Sequence, residues 1–242
     1  ETLRLIGEYY FRRGYYAEAL DLFERLSATY HSDAEVYQKI GFCYQKQGEY
    51  AEALEAFLKA EIIAPDNFWT IRRIATCYRN LKKPEMALSY YHRAEKIQPD
   101  NLSVQMNIGH CYVEQKDYEE ALKYYFKVDY LDPDGGKAWQ PIAWCSFLVG
   151  KKEQARRYYA KILAGKPTAL DYLNAGHVEF SLGHIRQAID YYRRSIELDG
   201  GNTGKFLANF KQDIPDLVSA GISSSDIPIL LDQLMYGITD AR

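Results

Sequence analysis

A chain of 242 residues that is 47% hydrophobic and 26% charged holds enough apolar side chains to bury a core along its whole length, and it lacks the composition of a disordered segment. The net charge of −3 is spread over interleaved Lys, Arg, Asp and Glu with no basic stripe, which argues against a nucleic-acid partner. No run of about 18 apolar residues is present, so insertion into a membrane is not expected. The first residue is Glu1 and not a methionine, so an excerpt of a longer polypeptide or a processed form is expected, with localisation provisionally cytoplasmic.

Read in chain order, the elements recur with a period of 34 residues. The first copy, residues 1–33, carries Gly7 and Tyr10 at helical spacing, a stop at Gly14, and a second helical stretch marked by Ala19 and Phe23. The copies at 34–67, 68–101, 102–135, 136–168 and 169–202 repeat this plan. A small residue recurs at Gly7, Gly41, Ala75, Gly109, Ala143 and Gly176, and an alanine at Ala19, Ala53, Ala87, Ala121, Ala155 and Ala188. Opposite them runs a column of rings, Phe23, Phe57, Tyr91, Tyr125, Tyr159 and Tyr192. A second aromatic column, Tyr10, Tyr44, Tyr78 and Tyr112, departs to Ser146 and Glu179. Most of the surplus among the 22 tyrosines is therefore a structural column repeated.

Gly14, Gly48, Lys82, Lys116, Gly150 and Gly183 stand where each first helix must stop. Pro65, Pro99, Pro133 and Pro167 close four copies. The spacing predicts two antiparallel helices per copy, stacked so that neighbours bury a shared core. Pro84 falls in the first turn of a second helix, where proline is tolerated. Pro141 falls inside the first helix of the fifth copy, so a kink or a late helix start is expected there.

Beyond Asn202 the register is lost. Phe206, Leu207, Phe210, Ile214, Leu217 and Val218 recur at helical spacing, Pro215 is expected to break that run in two, and Ser223, Ser224 and Ser225 offer N-caps to a last helix with Ile229, Leu230, Leu234 and Met235. Residues 203–242 read as a cap on the end of the stack, with docking of the last helix on a second copy as the alternative.

Chemistry-bearing residues are sparse. Cys43, Cys77, Cys111 and Cys145 form one column on successive first helices, which pack about 8–10 Å apart, beyond the roughly 7 Å reach of a disulfide. They read as buried free thiols, in keeping with a reducing compartment. The five histidines make no metal-binding pair, and no nucleophile elbow, phosphate-cradling loop or carboxylate cluster appears. No enzyme activity, metal or cofactor is expected.

This pattern resembles the tetratricopeptide repeat, the copy at 34–67 following its motif with Tyr37, Ile40, Gly41, Tyr44, Gly48, Tyr50, Ala53, Phe57, Ala60 and Pro65. The resemblance covers residues 1–202. It implies an all-α, right-handed superhelical solenoid of about six helix-turn-helix repeats, closed by the C-terminal helical cap, with first helices lining a groove that holds a protein or peptide. Carried over residue by residue, the groove would present Arg72, Thr76 and Arg79, then Met106, Asn107 and His110, then Lys137, Trp144 and Phe147, then Phe180. Its middle would be basic and its C-terminal part aromatic, with Trp144 either an exposed anchor or packed under the tail.

Family members that clamp acidic chaperone C-termini do so with five polar residues. Here Asn107 and Lys137 match that set and Arg72 stands in place of a lysine, while Thr76 stands where an asparagine belongs and Pro141 where an arginine belongs, which puts that particular ligand in doubt. The functional expectation is an interaction scaffold binding a peptide or helix in its groove. The alternative is the regulatory or substrate-recruiting repeat region of a larger enzyme or of a secretion or transport complex. Self-association through the solenoid ends or the last helix is a further possibility.

Overall fold

The computed structural model describes residues 2–239; Glu1, expected at an uncapped solenoid end, and residues 240–242 of the expected tail lie outside them. Among the described residues the chain is all helix, and it divides into two compact units, residues 1–115 and 116–242.

The first unit holds α1 (Thr2–Arg13), α2 (Tyr16–Ser27), α3 (Ala34–Gln47), α4 (Tyr50–Ile63), α5 (Phe68–Asn80), α6 (Pro84–Ile97) and α7 (Leu102–Glu114). Each first helix begins at a side-chain cap where the sequence supplies one. The Asp33 carboxylate accepts from the Glu35 and Val36 amides at 3.0 and 3.3 Å, the Asn67 amide oxygen from Thr70 at 3.0 Å, and Asn101 from Val104 at 3.2 Å. Each first helix in the unit is followed by a residue in the left-handed region: Gly14 and Gly48, but also Lys82 and, just past α7, Lys116, at φ of 59° and 62°. A lysine there bears a Cβ clash that glycine avoids.

The core is the packing of the ring column on the small column. Ala19, Ala53 and Ala87 are fully buried, as are Phe23, Phe57 and Tyr91. A Cβ built on Gly41 would come within 2.7 Å of the Phe57 ring, and on Gly7 within 3.0 Å of Phe23. Close approach of the two helices leaves no room for a Cβ at Gly41, whereas at Gly7 one would be tight against the ring.

The second unit continues the plan with α8 (Tyr118–Leu131), α9 (Trp139–Leu148), α10 (Lys152–Leu163), α11 (Ala169–Ser181) and α12 (Ile185–Leu198), followed by α13 (Thr203–Ser219) and α14 (Asp226–Thr239). The late start expected at Pro141 is found: α9 has 10 residues, and Pro141 sits in its first turn, where its missing N–H leaves no carbonyl unpaired. α11 opens on a capping box in which the Thr168 hydroxyl accepts the Asp171 amide and Asp171 accepts the Thr168 amide. On Gly176 a Cβ would lie 2.4 Å from the Tyr192 ring, tighter than at Gly41.

Pro215 does not break the tail run as expected. α13 continues through it for 17 residues. Pro215 cannot donate to the carbonyl one turn back, but Phe210 and Leu217, seven apart and both buried, hold the helix to the unit on either side of it. Phe206, Phe210, Leu217, Ile222, Ile227, Leu230 and Leu234 join one apolar cluster with Tyr159, Leu173 and Tyr192, so the tail caps the last repeats. Among the described residues no helix is long and apolar enough to cross a membrane.

Helix propensity alone would make glycine-to-alanine stabilising by about 1 kcal/mol, whereas overpacking costs about 1–3 kcal/mol. Gly176→Ala should therefore lower stability by about 1–2 kcal/mol in urea unfolding, and Gly7→Ala should be near neutral. An unchanged midpoint for Gly176→Ala would show that the ring does not rest on the glycine.

Candidate functional site

In the first unit the first helices are joined by polar side chains across successive repeats. Lys39 on α3 bonds Glu8 on α1, Gln38 donates to the Thr70 hydroxyl on α5 at 2.8 Å, and Arg73 on α5 donates to Gln45 on α3 at 2.7 Å. Arg79 on α5 donates from Nη1 to Asn107 and from Nε to Glu114 on α7, at 2.8 and 2.9 Å, and Arg72 reaches the Ser103 hydroxyl at 3.4 Å. These bonds all span 28 to 35 residues, the signature of one column of side chains meeting the next.

Of the groove residues expected from sequence, Arg72, Thr76, Arg79, Met106, Asn107 and His110 lie together on this face of α5 and α7, all partly exposed. The Thr76 hydroxyl donates to the Arg72 carbonyl at 3.0 Å and meets the Tyr91 hydroxyl at 3.1 Å, so it is tied to the ring column behind it. Burial, with the Arg79 guanidinium adding to it, lowers the pKa of His110 and favours its neutral form.

Arg73 belongs to the same network and was not anticipated. Its guanidinium lies 4.7 Å from the centroid of Phe42 and 5.0 Å from that of Trp69, and burial lowers its pKa. The signal was a column, Lys39, Arg73 and Asn107, that stays polar through three copies although it lies between core positions.

The remaining expected residues are in the second unit. Lys137 is exposed in the turn before α9. Phe147 is fully buried and Phe180 is 7% exposed, so neither is presented to a partner in this arrangement. Trp144 is half-buried, with its ring 5.3 Å from Phe147 and 6.4 Å from His177, and packs against the cluster that the tail helps to build.

Where the second aromatic column departs to Glu179, the carboxylate is buried and held by Arg156 at 2.9 Å and His184 at 2.6 Å. A cleft of about 340 Å³ lies there between α10, α11 and α12. Among the described residues no three His, Cys, Asp or Glu gather in a metal-binding arrangement.

Paired helices repeated at a fixed period define a helical-repeat protein. Tetratricopeptide-repeat family models match residues 34–67, 78–141 and 172–202, and the chain belongs to that family. Its fold is an all-α solenoid. MamA from Desulfovibrio magneticus is similar at 21% identity and a TM-score of 0.65, over 67% of this chain and 92% of that one. PilF of Pseudomonas aeruginosa is similar at 19% identity and a TM-score of 0.69, over 88% and 96%. A tetratricopeptide-repeat protein from Parabacteroides merdae is similar at 16% identity and 0.59, over 90% and 82%. At these identities the likeness is one of fold. No curated protein matches the chain.

The four cysteines are free and buried, and burial pushes each thiol up to about 12 from the ordinary 9.0. In the unfolded chain these thiols lose their protons near the ordinary value, so their contribution to stability is complete below pH 9 and is lost as the pH rises from 9 towards about 12. Thiol titration with a chromogenic disulfide at pH 8 should register essentially none of the four cysteines in the folded protein and all of them in guanidinium. Rapid reaction of the folded chain would contradict their burial.

Proposed function

We propose that this chain is a protein-interaction scaffold that binds an acidic segment of another protein on the first-helix face of its first unit. The supporting observation is the placement of Arg72 and Arg79, seven residues apart on α5 and therefore on one side of the helix. Arg79 is 30% exposed and engages a single carboxylate, Glu114 of α7, while Arg72 reaches only a neutral hydroxyl across the same face. An incoming Asp or Glu would exchange for Glu114 on the fork of Arg79 and give Arg72 a charged acceptor.

The bonds from Arg79 to Asn107 and Glu114 hold its planar donors in place before a partner arrives, which limits the side-chain entropy lost on binding. Met106, Thr76 and His110 surround the pair on the same face. They supply apolar and neutral polar contact around a charged centre, the arrangement that suits an extended or amphipathic acidic peptide.

Selection of displayed random peptides on the wild-type chain should enrich sequences rich in Asp and Glu. Arg72→Glu with Arg79→Glu should weaken those peptides by about tenfold or more, since each charge-assisted bond contributes about 1.5–3 kcal/mol. The circular-dichroism spectrum should stay unchanged. Enrichment without acidic bias, or equal retention by the double variant, would remove the basic centre from the function.

A further inference from the structure

In the second unit the corresponding face is covered by the chain's own tail. α11 is buried from Leu173 to Phe180 without a break, a helix enclosed on every side. Yet Leu173, His177 and Phe180 occupy the columns that in α5 carry the partly exposed Arg72, Thr76 and Arg79.

The cover is α13. The Phe210 ring lies 4.9 Å from the His177 ring and 5.5 Å from that of Tyr192, and Phe206, one turn earlier, lies 5.6 Å from Tyr192. Asp213 places a carboxylate oxygen 3.3 Å from Nε2 of His177, whose Nδ1 is 2.9 Å from the Tyr192 hydroxyl. The three groups fit one protonation pattern. Burial holds the imidazole neutral, Nε2–H donates to Asp213, and Nδ1 accepts from Tyr192.

We propose that this face of α11 is a docking surface for an amphipathic helix of another protein that presents two aromatic rings one turn apart followed by a carboxylate, and that α13 occupies it in cis until such a helix displaces it. The occupant's chemistry is read from what the surface demands. His177, with no exposed surface, needs an acceptor at Nε2, and the apolar residues beside it need rings. Trp144, half-buried 6.4 Å from His177, lies at the edge of the same surface.

The hold of α13 is light for a helix of 17 residues. Only Phe206, Phe210 and Leu217 are buried, Leu207 and Val218 are exposed, and Pro215 removes a backbone bond near its C-terminal end. Gly200 and Gly201, both at positive φ, end α12 and link it to α13. The surface is built from residues of the second unit alone and does not depend on the arginine face of the first.

The test uses the full chain and a fluorescein-labelled peptide with the sequence of residues 203–219. A chain carrying Phe210→Ala and Asp213→Asn, with its tail loosened, should bind this peptide about tenfold more tightly than the wild-type chain does. The peptide with the same two changes should bind the loosened chain about tenfold more weakly than the unchanged peptide. Equal binding of the two peptides, or no binding by a loosened chain of unchanged helicity, overturns the proposal. Hydrogen exchange of the wild-type chain decides independently of any variant. Amides of α13 should exchange at least about tenfold faster than those of α11; exchange of α11, α12 and α13 as one unit would make the tail a fixed part of the fold and end the proposal.

Discussion

The contact on which the rest depends is a ring against a residue with almost no side chain. Phe57 over Gly41 and Tyr192 over Gly176 bring paired helices so close that one added carbon would overlap the ring. Close pairing turns the face of each first helix towards the next repeat, and that is how Lys39 meets Glu8 and Arg79 meets Glu114 across a full period. The polar face is thus a product of the core: shift one pair by a turn and the ladder loses its partners. A scaffold of this kind carries its specificity in the columns that packing does not claim.

Those columns also explain how the two units differ. In the first, the partly exposed positions of α5 and α7 are charged or polar except Met106. In the second, the same positions carry Leu173, His177 and Phe180, which are buried, His177 against Phe210 and Asp213 of α13. One repeat pattern therefore yields an open basic face and a covered apolar one, and the substitutions that separate them leave the ring column untouched.

Much of this was legible in the sequence because period and packing are the same information. The ring column, the helix stops including Lys82 and Lys116, the buried thiols and the late start at Pro141 follow from position within a repeat. What position could not reveal was anything set between repeats. Arg73 reads as a surface arginine until Phe42, Trp69 and Gln45 come to surround it. Phe147 and Phe180 read as groove residues because the resemblance supplies an open groove, whereas both are buried in the apolar cluster of the second unit. Pro215 reads as a helix breaker because local propensity knows nothing of Phe210 and Leu217 on the core side.

The two lysines that stand where glycine ends the other first helices have a consequence for how the array could be hardened. A left-handed lysine costs roughly 1–2 kcal/mol that glycine would not, and Lys82 and Lys116 are both exposed. At Lys82 that strain could be relieved from the solvent side without disturbing any ring. Lys116 is another matter, since its charge faces Asp216 of the tail and offsets part of the burial that raises that carboxyl's pKa. Thermal resistance and the closure of the tail would there be traded against each other through a single side chain.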